Sequence, residues 1–167
     1  MSVHEHREET PRPIRFGILT ISDTRTLETD ESGRLMMELI EAAGHRTAAR
    51  ALCKDDPGQV VDLVRDACAN PEVEIVVLTG GTGLSRRDST FEAVSELYQP
   101  LVPGFGELFR MLSFEEIGAA SMLSRASAGI VDGKPVFSLP GSRAAVRLGM
   151  ERLILPEAGH LLAQLAR

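Results

Sequence analysis

Residues 74–83 read EIVVLTGGTG, an apolar run that leads directly into three closely spaced glycines. The run from Glu74 to Thr79 is rich in β-branched residues without polar alternation, which predicts a strand covered on both faces. Three glycines in four positions let the backbone turn its N–H groups together, an arrangement that suits an anion. The other interpretation is a tight turn that binds nothing, and the glycines alone do not separate the two. The P-loop and the dinucleotide-binding fingerprint are both missing from this sequence.

Further strands are predicted on both sides of this run. IRFGILTI (Ile14–Ile21) has the same unbroken apolar character, and Arg46–Leu52 forms a short strand pattern. Asp132-Gly133 is typical of a type I′ turn and predicts a hairpin between GIV and KPVFSL. Helical patterns separate the strands, and this alternation predicts an α/β fold with a parallel sheet covered on both sides.

The predicted helices follow from apolar residues at helical spacing and from capping or breaking residues at their ends. They run from Leu35 to a stop before Gly44, from Pro57 to Asn70, from a capping box at Ser89 to Leu97, from Gly104 to Ala120, and from Ser142 to a break at Pro156, with a last helix beyond it.

The length and composition of the chain exclude several classes of protein. Its 167 residues suffice for one domain with a core, and we expect a flexible polar tail over 1–13 and one domain over 14–167. The net charge of −6 and the 4% aromatic content argue against nucleic acid and anionic membranes as partners. No apolar run approaches the ~20 residues that span a bilayer, and no signal-peptide pattern is present, so we expect a cytoplasmic protein.

Polar residues follow the predicted strands at the places where ligands bind in parallel sheets, the carboxyl ends of the strands. Taken singly, each is more often a helix cap or a solvated loop residue than a ligand, and only their convergence at one edge favours a site. Besides the glycines, these residues are Ser22 and Asp23, Asp55 and Asp56, and Pro140, Gly141 and Ser142.

Arg86, Arg87 and Asp88 follow the glycines closely. Two arginines beside such a loop could neutralise phosphates, although arginines in a solvated loop are the more common case. Asp88 precedes a predicted helix, where it could serve as an extra cap or as an oxygen ligand for Mg²⁺.

Four segments in order give the chain a specific resemblance to a known family. GILTISDTRT, VVLTGGTGLSRRDST, PGFGELFRMLSFEEIGAASMLSRASAGI and VFSLPGSRAAVRLGMERLILPEAGHLL together resemble the molybdenum cofactor biosynthesis protein B (MoaB) family, a relative of MogA. The resemblance covers the chain from about Ile14 to its end. It implies a molybdopterin-binding fold, a three-layer α/β/α sandwich with a mostly parallel central sheet.

The resemblance also implies a reaction. Active members use Mg²⁺ and ATP to join AMP to the terminal phosphate of molybdopterin, with release of pyrophosphate. The phosphate is itself the nucleophile, so the reaction needs no general base and depends on bringing two anions into line. The alternative is a non-catalytic member of the same pathway that binds or delivers molybdopterin.

The family motifs assign roles to residues of this chain. Asp55 and Asp88 match carboxylates used in catalysis and metal binding, although the alignment could slip from Asp55 to Asp56. Arg87 or Arg143 could stabilise charge on the α-phosphate, judged by position alone. The residues expected to bind substrate are Ser22, Asp23, Thr79, Gly80, Gly81, Thr82, Gly83, Arg87, Pro140, Gly141 and Ser142.

Family members assemble as trimers or hexamers, and we expect this chain to form a homo-oligomer as well. Phe105, Phe109 and Phe114 lie in the helix-rich second half and are candidates for an interface, or equally for the core.

Overall fold

The computed structural model describes residues 12–167 and contains a five-stranded sheet. The strand order is β2-β1-β3-β5-β4, with β4 antiparallel to β5 and the other neighbours parallel. This confirms the predicted, mostly parallel sheet. The strands are β1 (Arg15–Ile21), β2 (Arg46–Cys53), β3 (Ile75–Thr79), β4 (Ser127–Val131) and β5 (Lys134–Leu139).

Helices cover both faces of the sheet, so the fold is a three-layer α/β/α sandwich. Their bounds are α1 (Glu31–Ala42), α2 (Pro57–Ala69), α3 (Thr90–Ser95), α4 (Pro103–Ile117), α5 (Arg143–Gly149) and α6 (Leu155–Leu165). Helices α1, α4, α5 and α6 pack on one face around Phe16, Ile75 and Phe109. Helices α2 and α3 pack on the other face around Val64, Val76 and Val94.

Strand β3 confirms the buried strand expected within residues 74–83. All five of its residues are buried, because it lies between β1 and β5 with helices on both sides. The β4–β5 hairpin also forms as predicted, and both turn residues have positive φ, 48° at Asp132 and 80° at Gly133, as a type I′ turn requires.

Three helix predictions are wrong in detail. Pro156 does not break the chain, because a π-helical turn at Met150–Ile154 joins α5 to α6 and the proline falls in the first turn of α6, where its missing N–H costs no hydrogen bond. The helix expected to reach Ala120 ends at Ile117, and a 3₁₀ helix follows over Gly118–Leu123. The Ser89 side chain does not cap α3, since its hydroxyl binds Asp55 instead.

The predicted tail lies almost entirely outside the described residues. Arg12 is described, and its guanidinium forms an ion pair with Glu74 at 2.5 Å. No helix within residues 12–167 is long and apolar enough to cross a membrane.

Candidate functional site

A cleft of about 480 Å³ opens at the carboxyl edge of the sheet. One wall carries the glycine loop (residues 80–83), Asp88 and the loop that follows β5. The opposite wall is apolar and comes from α4 and the 3₁₀ helix, with Phe109, Ile117 and Leu123. A volume of this size is in the range of small-molecule sites, which combine apolar walls with a few polar groups.

The first two glycines of the loop occupy positions that no other residue could take without rearrangement. Gly80 has φ of 102°, and a Cβ atom there would lie 2.1 Å from the Ile21 carbonyl oxygen. Gly81 has φ of 65°, and its Cβ would lie 2.0 Å from Thr90 Oγ1 and 2.6 Å from Asp55 Oδ2. The loop is therefore pressed against β1 on one side and against Asp55 and α3 on the other.

The structure separates Asp55 from Asp56. Asp55 Oδ1 accepts hydrogen bonds from the Ser89 N–H at 3.1 Å and the Ser89 hydroxyl at 2.8 Å, while Oδ2 faces Gly81. Asp56 accepts from the Gln59 N–H at 3.0 Å and caps α2. Of the two adjacent carboxylates, Asp55 reaches the glycine loop.

Asp88 lies at the other end of the loop. Its Oδ2 accepts from the Ser85 hydroxyl at 2.5 Å and lies 2.8 Å from the place where a Cβ of Gly83 would be. Asp88 borders the 480 Å³ cleft and also a second cleft of about 440 Å³ that α2 and α3 line with Pro57 and Glu92. The carboxylate accepts hydrogen bonds from Ser85 and, among the described residues, none from an N–H group at the start of α3, so it does not cap this helix.

Ser22 and Asp23 lie at the same edge but outside the main cleft. The Ser22 hydroxyl accepts from the N–H groups of Thr24 and Arg25, and Ser22 borders a smaller cavity of about 160 Å³ with Thr79, Gly80 and Gly141. Asp23 forms an ion pair with Arg87 at 2.6 Å and accepts from the Asp55 N–H at 3.2 Å. The Arg87 guanidinium holds the pKa of Asp23 below its ordinary value.

The loop after β5 closes the cleft. Pro140, Gly141 and Ser142 all line it, and Ser142 caps α5 through the Ala145 N–H at 3.2 Å, as predicted. Thr79 Oγ1 donates to the Pro140 carbonyl at 3.1 Å, which joins this loop to the end of β3. Arg143 instead faces Glu31 at 3.9 Å.

Two functional features were missed by the sequence reasoning. Arg125 donates from its guanidinium to the carbonyl oxygens of Thr82, Gly83 and Asp88. Asp30, fully buried, accepts from Thr20 Oγ1 at 2.7 Å and pairs with Arg50 at 3.1 Å, and so anchors α1 beside the site. No spacing or composition signal marks Arg125, because its partners are distant in the chain. Asp30 has the local signal of a helix cap, since it accepts from the Gly33 N–H at 2.9 Å, but its contacts with Thr20 and Arg50 depend on the fold.

The oxygen atoms of Asp55 and Asp88 fit a magnesium ion whose other ligands come from a bound substrate and water. No group of three His, Cys, Asp or Glu side chains within residues 12–167 could hold a metal by itself. Asp55 Oδ2 and Asp88 Oδ1 make no hydrogen bond in the described part of the chain, and they lie beside Gly81 and Gly83 of the glycine loop. Mg²⁺ commonly takes one or two protein carboxylates and completes its shell with water and substrate phosphates.

Comparison with known proteins gives consistent results. Residues 17–160 match the family described as a probable molybdopterin binding domain. Molybdenum cofactor biosynthesis protein B of Halalkalibacterium halodurans is 48% identical over 168 residues, which cover 100% of this chain and 99% of that protein.

Two crystal structures share the fold. A structure of molybdenum cofactor biosynthesis protein B has a TM-score of 0.92 and 49% identity, over 95% of this chain and 99% of the other. The tungsten cofactor synthesizing protein MoaB of Pyrococcus furiosus has a TM-score of 0.84 and 36% identity, over 95% and 100% of the two chains.

Proposed function

Because the chain belongs to the molybdenum cofactor biosynthesis protein B family, we propose that it is a molybdopterin adenylyltransferase. In this reaction it uses Mg²⁺ and ATP to transfer AMP to the terminal phosphate of molybdopterin. One observation carries the proposal: the carboxylates of Asp55 and Asp88 lie beside Gly81 and Gly83 of the glycine loop, and this loop and Asp88 line a ligand-sized cleft.

The chemical requirements of this reaction match the residues of the site. An oxygen of the molybdopterin phosphate attacks the α-phosphorus of ATP, the bond to the β-phosphate breaks, and pyrophosphate leaves with its electron pair. The nucleophile carries no proton that must be removed near neutral pH, so the protein has to align two anions and lower their repulsion. The Gly80 N–H donates to the Leu139 carbonyl at 3.1 Å, whereas the N–H groups of residues 81–83 make no hydrogen bond in the described part of the chain and could contact a phosphate. Two carbonyl groups of the same loop, those of Thr82 and Gly83, are turned to Arg125.

Asp55 and Asp88 would hold Mg²⁺ through the oxygens that make no hydrogen bond. When bound, the ion supplies positive charge against the phosphates of ATP and orients them. Ser89 binds Oδ1 of Asp55 and leaves Oδ2 facing Gly81, while Ser85 binds Oδ2 of Asp88 and leaves Oδ1 beside Gly83. Carboxylates that are already held by hydrogen bonds lose little conformational entropy when a ligand binds.

The cleft offers a surface for the pterin. Phe109 is 1% exposed and supports the apolar wall, whereas Ile117 and Leu123 are 60% and 55% exposed at its mouth. A flat ring system against this wall would place its phosphate end toward the glycine loop.

A second function, molybdopterin binding without chemistry, is favoured by one feature. No three-ligand metal site is preassembled within residues 12–167, so Mg²⁺ binding would depend on the phosphates of the substrate. A chain of this kind could hold molybdopterin in the cleft and never assemble the metal.

We test the proposal by mixing the purified protein with molybdopterin, Mg²⁺ and α-labelled ATP. We expect adenylylated molybdopterin from the wild type and at least about a hundredfold slower formation by Asp88→Asn, which removes a charge without changing bulk. Wild-type turnover in Asp88→Asn would contradict the role of this carboxylate. Retention of molybdopterin through gel filtration without any product would assign the chain to the binding function.

We further propose that copies of the chain associate as a trimer or hexamer. Phe105 and Phe109 belong to the core, but Leu108, Met111 and Phe114 on the same helix are 47–60% exposed. Apolar side chains clustered at a surface favour contact with another protein surface. A monomer in sedimentation velocity at micromolar concentration would contradict this.

A further inference from the structure

Arg125 lies two residues before the start of β4 and contacts the glycine loop without lining the 480 Å³ cleft. Its side chain is 19% exposed, and its guanidinium carbon is 4.9 Å from the centre of the Phe91 ring. One nitrogen, Nη1, pairs with Glu92 of α3. The aromatic face and this carboxylate fix the plane of the guanidinium.

The other nitrogens bind three carbonyl oxygens around the site. Nε donates to the Thr82 carbonyl at 2.9 Å, and Nη2 donates to the carbonyls of Gly83 and, at 3.3 Å, Asp88. These contacts are at least 37 residues away in sequence. A single side chain therefore joins both ends of the segment that carries the glycine loop and Asp88.

The direction of these carbonyls fixes the direction of the neighbouring N–H groups. In a trans peptide unit the C=O and N–H point to opposite sides. The Asp88 carbonyl binds Arg125, and the N–H of the same peptide unit, that of Ser89, donates to Asp55 Oδ1 at 3.1 Å. Arg125 and Asp55 thus hold one peptide unit from its two sides. By the same rule, the Thr82 carbonyl on Arg125 turns the Gly83 N–H away from the guanidinium.

We propose that Arg125 is a positioning residue that holds the glycine loop and Asp88 in the orientation that accepts the molybdopterin phosphate, an inference that rests on the function proposed above. It acts through the backbone and does not contact the ligand. By binding the Thr82 and Gly83 carbonyls it keeps their partial negative charge away from the phosphate and directs the N–H groups of Gly83 and Leu84 to the opposite side.

The chemistry requires arginine rather than any cation. Guanidinium presents donors in a rigid planar fork, whereas a lysine ammonium is a compact charge on a flexible stem. Arg125→Lys would keep the charge beside Glu92 but would not reach three carbonyls in one geometry. The fork, more than the charge, is the feature that positions the loop.

Amide hydrogen exchange tests the positioning directly. We compare the wild type, Arg125→Gln, Arg125→Lys and the control Arg147→Gln, which removes an exposed arginine paired with Glu151 on its own helical segment. We expect the Asp88 and Ser89 amides to exchange about tenfold or more faster in both Arg125 variants, because local opening becomes easier. The control should exchange as the wild type does, and the thermal midpoints should stay within a few degrees of one another.

A second experiment tests whether the orientation of the loop affects ligand binding. The affinity for molybdopterin is measured by ultrafiltration on the same four proteins. We expect both Arg125 variants to bind about tenfold more weakly, the size of effect that one lost charge-assisted hydrogen bond produces. Unchanged exchange, unchanged affinity, or full recovery of both by lysine would each overturn the inference. If Arg125→Gln does not fold, Arg125→Lys carries the same comparison.

The two proposals fail in different ways. If the wild type does not bind molybdopterin, the proposed function and the ligand part of this inference are both wrong. If the wild type binds molybdopterin and Arg125→Gln keeps wild-type exchange and affinity, only the inference is wrong.

Discussion

The two edges of the sheet use charged residues in opposite ways. At the amino edge, where β1 and β3 begin, Glu74 binds Arg12 at 2.5 Å and Arg15 at 3.2 Å, and Arg15 also pairs with Glu72. At the carboxyl edge, Asp55 and Asp88 each bind a serine with one oxygen and leave the other without a hydrogen bond in the described part of the chain.

We infer from this difference that the amino edge contributes to stability and that the carboxyl edge binds a ligand. A carboxylate that is fully paired within the protein lowers the free energy of the folded state and has no capacity for another partner. A carboxylate that is held by one oxygen beside a cleft remains available to a metal or substrate. Changes at the amino edge should therefore alter unfolding, and changes of charge at the carboxyl edge should alter activity.

The largest effect on stability should come from the backbone of the carboxyl edge. We expect Gly80→Ala to lower the free energy of unfolding by about 3–5 kcal/mol, because the new Cβ would overlap the Ile21 carbonyl at a strained positive φ. Gly133→Ala at the amino edge is the matched control: its φ is also positive, 80°, but no atom lies within 4 Å of the new Cβ. Its cost should be about 1 kcal/mol. The free energy of unfolding is measured by urea titration. If Gly80→Ala and Gly133→Ala lowered it equally, close packing of the glycine loop against β1 would contribute nothing to stability.

The largest effect on activity is expected at Asp55, and the same substitution at the adjacent Asp56 should have none. We expect Asp55→Asn to slow adenylyl transfer by about a hundredfold or more, since it removes a charge that acts on the phosphates. Asp56→Asn should keep wild-type activity because asparagine also caps helices well. Both variants are to be compared by initial rates at saturating ATP. A large loss of activity in Asp56→Asn alone would show that Asp56, and not Asp55, is the carboxylate of the site.

A smaller effect on stability is expected at the amino edge. Arg12 and Arg15 lower the pKa of Glu74 to about 2, with the Arg12 hydrogen bond as the main cause. The stabilisation is present above pH 4.5, the ordinary value, and is lost as pH falls through about 2. We expect Glu74→Gln to cost about 1–2 kcal/mol at pH 7, less than the full shift implies because Arg12 is 59% exposed.

Urea titrations of Glu74→Gln and the wild type between pH 7 and pH 2 check this. The difference between them should shrink below pH 4.5, and molybdopterin binding at pH 7 should be unchanged. A loss of molybdopterin binding in Glu74→Gln would contradict the inference that the amino edge serves only stability.

The smallest effect is expected at Arg87. Its guanidinium is 76% exposed and pairs with Asp23, so Arg87→Gln should change the free energy of unfolding by less than about 0.5 kcal/mol. Adenylyl transfer should fall less than about tenfold, because the pair lies at the rim of the site rather than in the main cleft. A drop of a hundredfold in turnover would mean that Arg87 leaves Asp23 and contacts a phosphate directly.

The sequence predicted the parts of the fold that depend on local patterns. The buried strands, the Asp132-Gly133 turn and the cap at Ser142 follow from neighbouring residues alone, and the structure contains all three. The loops that follow parallel strands were expected to meet at one edge, and Asp55 does reach Gly81 there.

The parts that were missed depend on contacts between distant residues. Ser89 has the local pattern of a cap, but the Asp55 carboxylate, 34 residues earlier, accepts its hydroxyl. Pro156 has the local pattern of a helix break, but a π-helical turn ahead of it lets the helix continue. Arg125 stands among small residues with no pattern at all, and only the fold brings it to the glycine loop.

The reaction proposed for the carboxyl edge of this sheet is the transfer of an adenylyl group from ATP to the molybdopterin phosphate. The most direct measurement is the ³¹P spectrum of stoichiometric protein, molybdopterin, ATP and Mg²⁺ after a single turnover. We expect the β- and γ-phosphate signals of ATP to be replaced by the signal of pyrophosphate, and the signal of the molybdopterin phosphate to shift to that of a phosphoanhydride. Unchanged ATP signals with molybdopterin bound to the protein would contradict the claim.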